Sequence, residues 1–142
     1  MCRSSDTGSG QPGLSAVVGV VALGGIVGAE ARYGLAVALP HATGAWPWAT
    51  LVANVTGCLL IGVLMVLVTE RFRAPPLVRP LLGVGVLGGY TTFSTYTADV
   101  LTGFGAGLPG PALLYLAVTP VLAVVAAAVG VAVTRALAPE RA

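Results

Sequence analysis

What this sequence has least of is charge. Charged residues make up 8 % of its 142 positions, against about 25 % in a typical soluble chain. Lysine is absent: the seven basic residues are all arginine, set against five acidic residues and a single histidine. Side chains so sparsely charged cannot give a chain of this length the polar coat that water demands. That shortage excludes an ordinary cytosolic enzyme, a nucleic-acid binder and a disordered regulator. His41 stands in a loop, and no metal cluster or nucleophilic triad can be assembled from what remains, so an enzyme is not expected. Only two cysteines are present. Cys2 lies in a polar N-terminal stretch and Cys58 in an apolar one, so a disulfide would have to join a water-facing tail to a bilayer-buried position. Both are read as free thiols.

What is there in quantity is apolar. Hydrophobic residues make up 56 % of the chain, and the mean hydropathy is +0.94. Residues 1–13 are small and polar and read as a disordered tail. Residues 14–137 form one domain of four apolar segments, and 138–142 a short C-terminal tail. Segment 14–39 is interrupted only by Glu30 and Arg32, and segment 49–68 only by Thr50, Asn54 and Thr56. Segment 81–101 is apolar at its start and polar in its middle, while 111–137 carries Tyr115 and Thr119 in its first half. About 20 helical residues cross ~30 Å of hydrocarbon, so each segment predicts a membrane helix. The fold class expected is an all-α membrane protein with four transmembrane helices in the lipid bilayer. Trp46, Pro47 and Trp48 make an interfacial anchor at the mouth of the second helix. Arg71, Arg73, Pro75, Pro76 and Arg79 form a basic, helix-breaking loop. The motif Ala29-Glu30-Ala31 imitates a signal-peptide cleavage site, but the apolar pattern continues through Leu39, and the segment reads as a retained helix.

The third segment carries the chemistry. Gly83, Gly85, Gly88 and Gly89 lead into Tyr90-Thr91-Thr92-Phe93-Ser94-Thr95-Tyr96-Thr97. Paired glycines followed by β-branched hydroxyl residues make a poor helix, and a break is expected near the bilayer midplane. Irregular backbone at that depth survives only when buried in protein or lining a watery cavity. Freed carbonyls there are a ready cation site. The glycines match G-x-G-x-x-G, but the strand before and the acid about 20 residues after are missing, so a dinucleotide site is set aside. The pairs Gly24/Gly28 and Gly85/Gly89 suit close helix approach in lipid. Asn54 shares a helix face with Thr50. It reads either as interhelical glue or as a donor lining a polar path, since its amide offers two hydrogens to a small anion. Phe93 and Tyr96 fall on one face if helix resumes there. They read as packing aromatics or as electropositive ring edges turned to an anion. No positive charge stands in either mid-segment, which points to an anion passed along through weak sites rather than held.

The sequence resembles the fluoride channel family called Fluc or CrcB over nearly all of residues 21–125. Gly24-Gly25-Ile26-Val27-Gly28-Ala29-Glu30-Ala31-Arg32-Tyr33 resembles its first-helix GGxxGAxxRY pattern. Thr50-Leu51-Val52-Ala53-Asn54-Val55-Thr56-Gly57 resembles TLxxNxxG, and Gly88 to Tyr96 resembles the GGxTTFSTF signature. Tyr115 and Thr119 resemble the fourth helix's tyrosine followed by a hydroxyl one turn on. The resemblance implies a passive, fluoride-selective pore exporting the ion from the cytoplasm and lowering its toxicity. It also implies an antiparallel dimer with two pores at its interface. Carried over by position, Asn54 donates to fluoride, Phe93 and Tyr96 are the two box aromatics with Ser94 beside them, and Tyr115 and Thr119 line a polar track. Thr50 belongs to the same pore, Arg32 stands near its vestibule, and the carbonyls of Gly88 and Thr91 hold a structural sodium ion that is not transported. Two positions depart from the pattern: Tyr96, usually Phe, and Ala123, where a second hydroxyl is frequent.

Four rivals are weighed against that reading. A small proton-coupled multidrug exporter would use Glu30. An accessory membrane subunit would explain the glycines but not Asn54 and the TTFSTY run. An intramembrane enzyme lacks a nucleophile–base pair. A non-conducting partner subunit of a heterodimeric channel is the fourth. The arginines add an orientation. With four spans, Arg3, Arg71, Arg73, Arg79, Arg135 and Arg141 share one side of the membrane, and the two opposite loops carry none. Basic residues near helix ends favour the cytoplasm, so both termini are expected there in a multi-pass cell-membrane protein. A bias of six to none is more than a homodimer of antiparallel copies needs, and it points to a homologous second subunit of opposite bias.

Overall fold

The computed structural model describes residues 12–71 and 74–138. Residues 1–11 and 139–142, which hold most of the two expected tails, lie outside them, and so do Cys2, Arg3, Arg73 and Arg141. Among the described residues the regular structure is entirely helical. Helix α1 runs Leu14–Ala38, and α2 runs Trp48–Val66 before winding on as one π-helical turn, Leu67–Arg71. A second π-wound stretch, Pro80–Val86, passes directly into the short α3, Leu87–Tyr90. Helix α4 spans Phe93–Gly105 and α5 spans Pro109–Leu137. Three helices are long and apolar enough to cross a membrane: Leu14–Ala38, Trp48–Arg71 and Pro109–Leu137. At about 1.5 Å per residue, the 25 residues of α1 reach roughly 38 Å. The remaining expected segment is helical too, in two pieces, so four helical rods fit the four segments.

Glycine sets how the rods dock. Gly24 and Gly28 are the only buried residues of α1, and they press on the stretch from Leu81 to Tyr90. A Cβ on Gly28 would strike the carbonyl of Val86, and one on Gly89 would strike the carbonyl of Gly25. Both small-xxx-small pairs therefore serve one parallel crossing, backbone against backbone. A second crossing of this kind joins α2 to α5: a Cβ on Gly62 would meet Ala127 O, and one on Gly130 would meet Leu59 O. These two helices run parallel. Trp46 meets Tyr115 edge-on at 5.3 Å near their N-terminal ends, and Arg135 bonds Glu70 at their C-terminal ends. A buried apolar cluster lies between α2, α4 and α5, around Leu51, Tyr96, Val100 and Tyr115.

The remaining surface is apolar. Only 11 % of α1's most apolar window and 17 % of α5's are buried within the chain. Faces this large and this apolar need lipid or another protein against them.

Between Tyr90 and Phe93 the backbone leaves the helix. Thr91 (φ −81°, ψ 155°) and Thr92 (φ −149°, ψ 126°) are extended, and helix resumes with Thr92 as the N-cap of α4. The local sequence accounts for this. β-Branched threonines tolerate extended backbone, a threonine hydroxyl is a good N-cap, and Gly88-Gly89 weakens the helix just before. The interruption redirects the chain: Pro80–Tyr90 packs on α1, whereas α4 packs on α5.

Candidate functional site

Two backbone hydrogens at the interruption are taken by side chains. In an unbroken helix the Thr92 N–H would go to Gly88 O; here it donates to Asn54 Oδ1 at 2.8 Å. The Thr95 N–H would go to Thr91 O; here it donates to Thr92 Oγ1 at 3.1 Å. The carbonyls of Gly88 and Thr91 are thus relieved of their helical partners. The amide of Asn54 also donates through Nδ2 to Thr92 O at 2.9 Å. Asn54 so pairs with Thr92 as one backbone unit pairs with another, across 38 positions of sequence. Gly57, one turn along α2, makes room, since a Cβ there would run into the Thr91 methyl. The glue reading of Asn54 is therefore fulfilled, and the donor reading survives it, because one of the two Nδ2 hydrogens is still unspent.

That hydrogen belongs to a residue lining an open cleft of about 270 Å³. Asn54 and Cys58 contribute from α2, Thr91 and Thr92 from the interruption, Phe93 and Tyr96 from α4, and Thr119, Pro120 and Ala123 from α5. The Phe93 ring stands 77 % exposed on its rim, with its centroid 5.7 Å from that of Tyr96. Tyr96 is buried and in turn lies 5.6 Å from Tyr115. Its hydroxyl donates to the Leu116 carbonyl at 2.5 Å. The aromatic series continues through Trp46 to Trp48. Among the described residues, no arginine or histidine lines the cleft.

Deeper along the same side, Thr50, Tyr115 and Thr119 are buried together, with both threonines beside the Tyr115 hydroxyl. Neither Tyr115 Oη nor Thr119 Oγ1 makes a well-formed hydrogen bond, although Thr50 and Thr119 stand within reach of the tyrosine hydroxyl. In a low-dielectric setting, unmet hydroxyls of this kind are costly unless something polar visits them. Tyr115 also lines a smaller cavity of about 50 Å³, shared with His41, Trp46 and Asp99 at the α1–α2 loop. The indole Nε1 of Trp46 and Oδ2 of Asp99 are likewise buried without a partner.

The structure therefore gathers Asn54, Thr91, Phe93, Tyr96 and Thr119 at one cleft, with Thr50 and Tyr115 behind it. It places three other candidates elsewhere. Ser94 is exposed, and its hydroxyl pairs with Thr92 Oγ1. Arg32 donates from Nε to Gly89 O at 3.2 Å, tying α1 to α3. Gly88 is exposed. Glu30, which the exporter reading needs, is exposed on α1 and lines neither cavity. Sequence reasoning passed over Cys58 and Pro120. Cys58 was accessible to it, standing one turn after Asn54 on the same helix face.

Fold and site together define an all-helical membrane protein whose polar groups collect beside an interrupted helix. Residues 19–131 match the family described as CrcB-like protein, Camphor Resistance (CrcB), and the chain belongs to that family. Over 107 residues it is 52 % identical to the fluoride-specific ion channel FluC 2 of Streptomyces avermitilis, covering 75 % of this chain and 68 % of the relative. The fluoride-specific ion channel FluC 2 of Thermobifida fusca is 48 % identical over 120 residues, covering 83 % and 89 % of the two chains. A third relative, the fluoride-specific ion channel FluC of Rhizobium etli, is 42 % identical over 120 residues, covering 84 % and 96 %. The family is the one the motifs pointed to, and these relatives are named as channels.

Proposed function

We propose that the chain is one subunit of a passive fluoride channel that exports the ion from the cytoplasm and so lowers its toxicity. One observation carries this reading. Asn54, which keeps a spare amide hydrogen, lines one cleft with the rings of Phe93 and Tyr96 and the hydroxyl-bearing Thr119, and among the described residues no cation lines it to trap an anion. Fluoride is small and strongly hydrated, and it can give up water only where N–H, O–H and polarised C–H groups replace it in steps. From the cleft, the buried hydroxyls of Thr119 and Tyr115, beside Thr50, continue the series of donors. Hydrogen fluoride crosses membranes as a neutral acid and dissociates in a neutral cytoplasm. An inside-negative potential then drives the trapped anion outward, by ~2.3 kcal/mol per charge per 100 mV.

The cleft is half a pore. Its outer wall is missing, and Phe93 stands on an open rim. A second subunit in antiparallel orientation closes it, with the two interruptions facing each other near the midplane. The Gly88 and Thr91 carbonyls fit a hard cation, being oxygen ligands released from the helix by Asn54 and Thr92. They would hold a structural sodium ion, two oxygens from each subunit, supplying a fixed positive charge between the pores. The arginine bias gives the chain one prevailing orientation, both termini cytoplasmic, and makes its antiparallel mate a homologous second subunit.

Purified protein in liposomes, loaded with fluoride and followed with a fluoride electrode under an imposed potential, tests the proposal. Passive efflux that follows the potential, without a proton gradient, is expected. Efflux that requires a proton gradient, or none from any subunit combination, overturns it.

A further inference from the structure

Pro120 stands inside α5. In an α-helix the N–H of residue 120 would serve the carbonyl of Leu116. Proline has no N–H, and its ring presses that carbonyl outward. Leu116 O is thus freed within an apolar span, where no water is at hand to bond it. Tyr96 meets the need from α4, its hydroxyl donating to Leu116 O at 2.5 Å.

This bears on the cleft because Tyr96 lines it. A phenol has one hydrogen to donate, and here it is already committed to the α5 backbone. The side chain is held at both ends, by that bond and by the flanking rings of Phe93 and Tyr115. With that hydrogen committed, what it has left to offer the cleft is its ring.

We infer that Tyr96 and Pro120 form one positioning unit, in which the tyrosine hydroxyl replaces the hydrogen bond that proline withholds from Leu116 and so fixes the ring edge, not the hydroxyl, toward the ion path. Tyr96 then serves the ion as a phenylalanine would, and its hydroxyl answers to Pro120 alone. The inference rests on reading the cleft as a fluoride path.

The test is a cycle of Tyr96→Phe, Pro120→Ala and the double variant, read by fluoride efflux from liposomes and by thermal midpoint in detergent. Tyr96→Phe alone leaves Leu116 O unmet, and is expected to slow efflux several-fold and lower the midpoint by a few degrees. Pro120→Ala restores the backbone N–H, so the same tyrosine substitution in that background should do neither. Efflux of the double variant should return to within about twofold of wild type, the two sites being coupled through one carbonyl. A second combination, Tyr96→Leu with Pro120→Ala, satisfies the carbonyl but removes the ring edge, and should remain slow.

Equal loss from Tyr96→Phe in both backgrounds would mean that the hydroxyl touches the ion, and no loss in either would mean that it is idle. Both overturn the inference, as does full efflux from the Tyr96→Leu combination. The coupling of midpoints needs no fluoride. A wild type that passes none in any subunit combination would therefore sink the channel reading while leaving the pairing of Tyr96 with Pro120 to be judged by stability.

Discussion

Replacing Asn54 by Asp removes a donor from two places at once. The carboxylate keeps the bond from the Thr92 N–H but can no longer donate to Thr92 O, now met by Asn54 Nδ2 at 2.9 Å. An unmet buried carbonyl costs roughly 1–3 kcal/mol, so Asn54→Asp should lower the thermal midpoint as well as abolish fluoride efflux. Phe93→Ile separates the two effects. The ring is 77 % exposed within the subunit and makes no hydrogen bond. Its loss should stop efflux with a much smaller change in midpoint than Asn54→Asp produces. Efflux at the wild-type rate from either variant would remove that residue from the pore. The need for a donor at position 54 was legible in the sequence, because an amide deep in an apolar segment must have partners. That Thr92 is its partner was not, since nothing local links residues 38 positions apart.

Helix crossings make predictions that single residues do not. Gly28→Ala puts a methyl group against the Val86 carbonyl, whereas Gly25→Ala, three residues earlier on α1, opens onto space. The first should destabilise by about 1–3 kcal/mol through forced separation of α1 from the Pro80–Tyr90 stretch. The second should be neutral or gain up to ~1 kcal/mol from lower unfolded-state entropy. Denaturation midpoints of the pair, measured side by side in detergent, check this; equal effects would mean that α1 does not dock by its glycines. The Gly24/Gly28 pair was visible in the sequence as a small-xxx-small repeat. Gly62 and Gly130, which do the same work between α2 and α5, were not. Neither has a glycine four residues away in its long apolar run, and only the packing shows that they face one crossing. At the interruption, the Gly88 and Thr91 carbonyls lead to a prediction for the cation. Exchanging sodium for a large organic cation should lower fluoride efflux slowly, as bound ion leaves, while tracer sodium stays put. Tracer sodium moving together with fluoride would make the ion cargo rather than structure.

At the scale of the molecule, three of the described charges gather at one end. Glu70, Arg71 and Arg135 meet where α2 and α5 finish, with Arg135 Nε 3.0 Å from Glu70 Oε2 and Arg71 Nη2 3.2 Å from Arg135 O. Acidic neighbours weigh little in the rule that keeps arginines in the cytoplasm, so this end is expected inside. Single cysteines at Thr43 and at Ala74, in a background lacking Cys2 and Cys58, can be probed on intact cells with an impermeant thiol reagent. Position 43 should label and position 74 should not. Labelling of both to similar extents would show dual insertion and return the assembly to a homodimer. The open cleft, the exposed Phe93 and the thinly buried α1 leave apolar faces that need lipid or another protein against them.

Membrane residence, the positions of the apolar segments and the family were determined by the sequence itself. Hydropathy adds up along the chain, and the TTFSTY run and its companion motifs are contiguous, so both can be read without knowing what touches what. Only the tertiary structure decided who answers each freed backbone group: Asn54 for Thr92, Arg32 for Gly89 and Tyr96 for Leu116. Those partners stand 38, 57 and 20 positions apart. A hydrogen bond reaches about 3 Å. Which donor comes within that reach is settled by how glycine-lined helices cross, and no local pattern of residues encodes it.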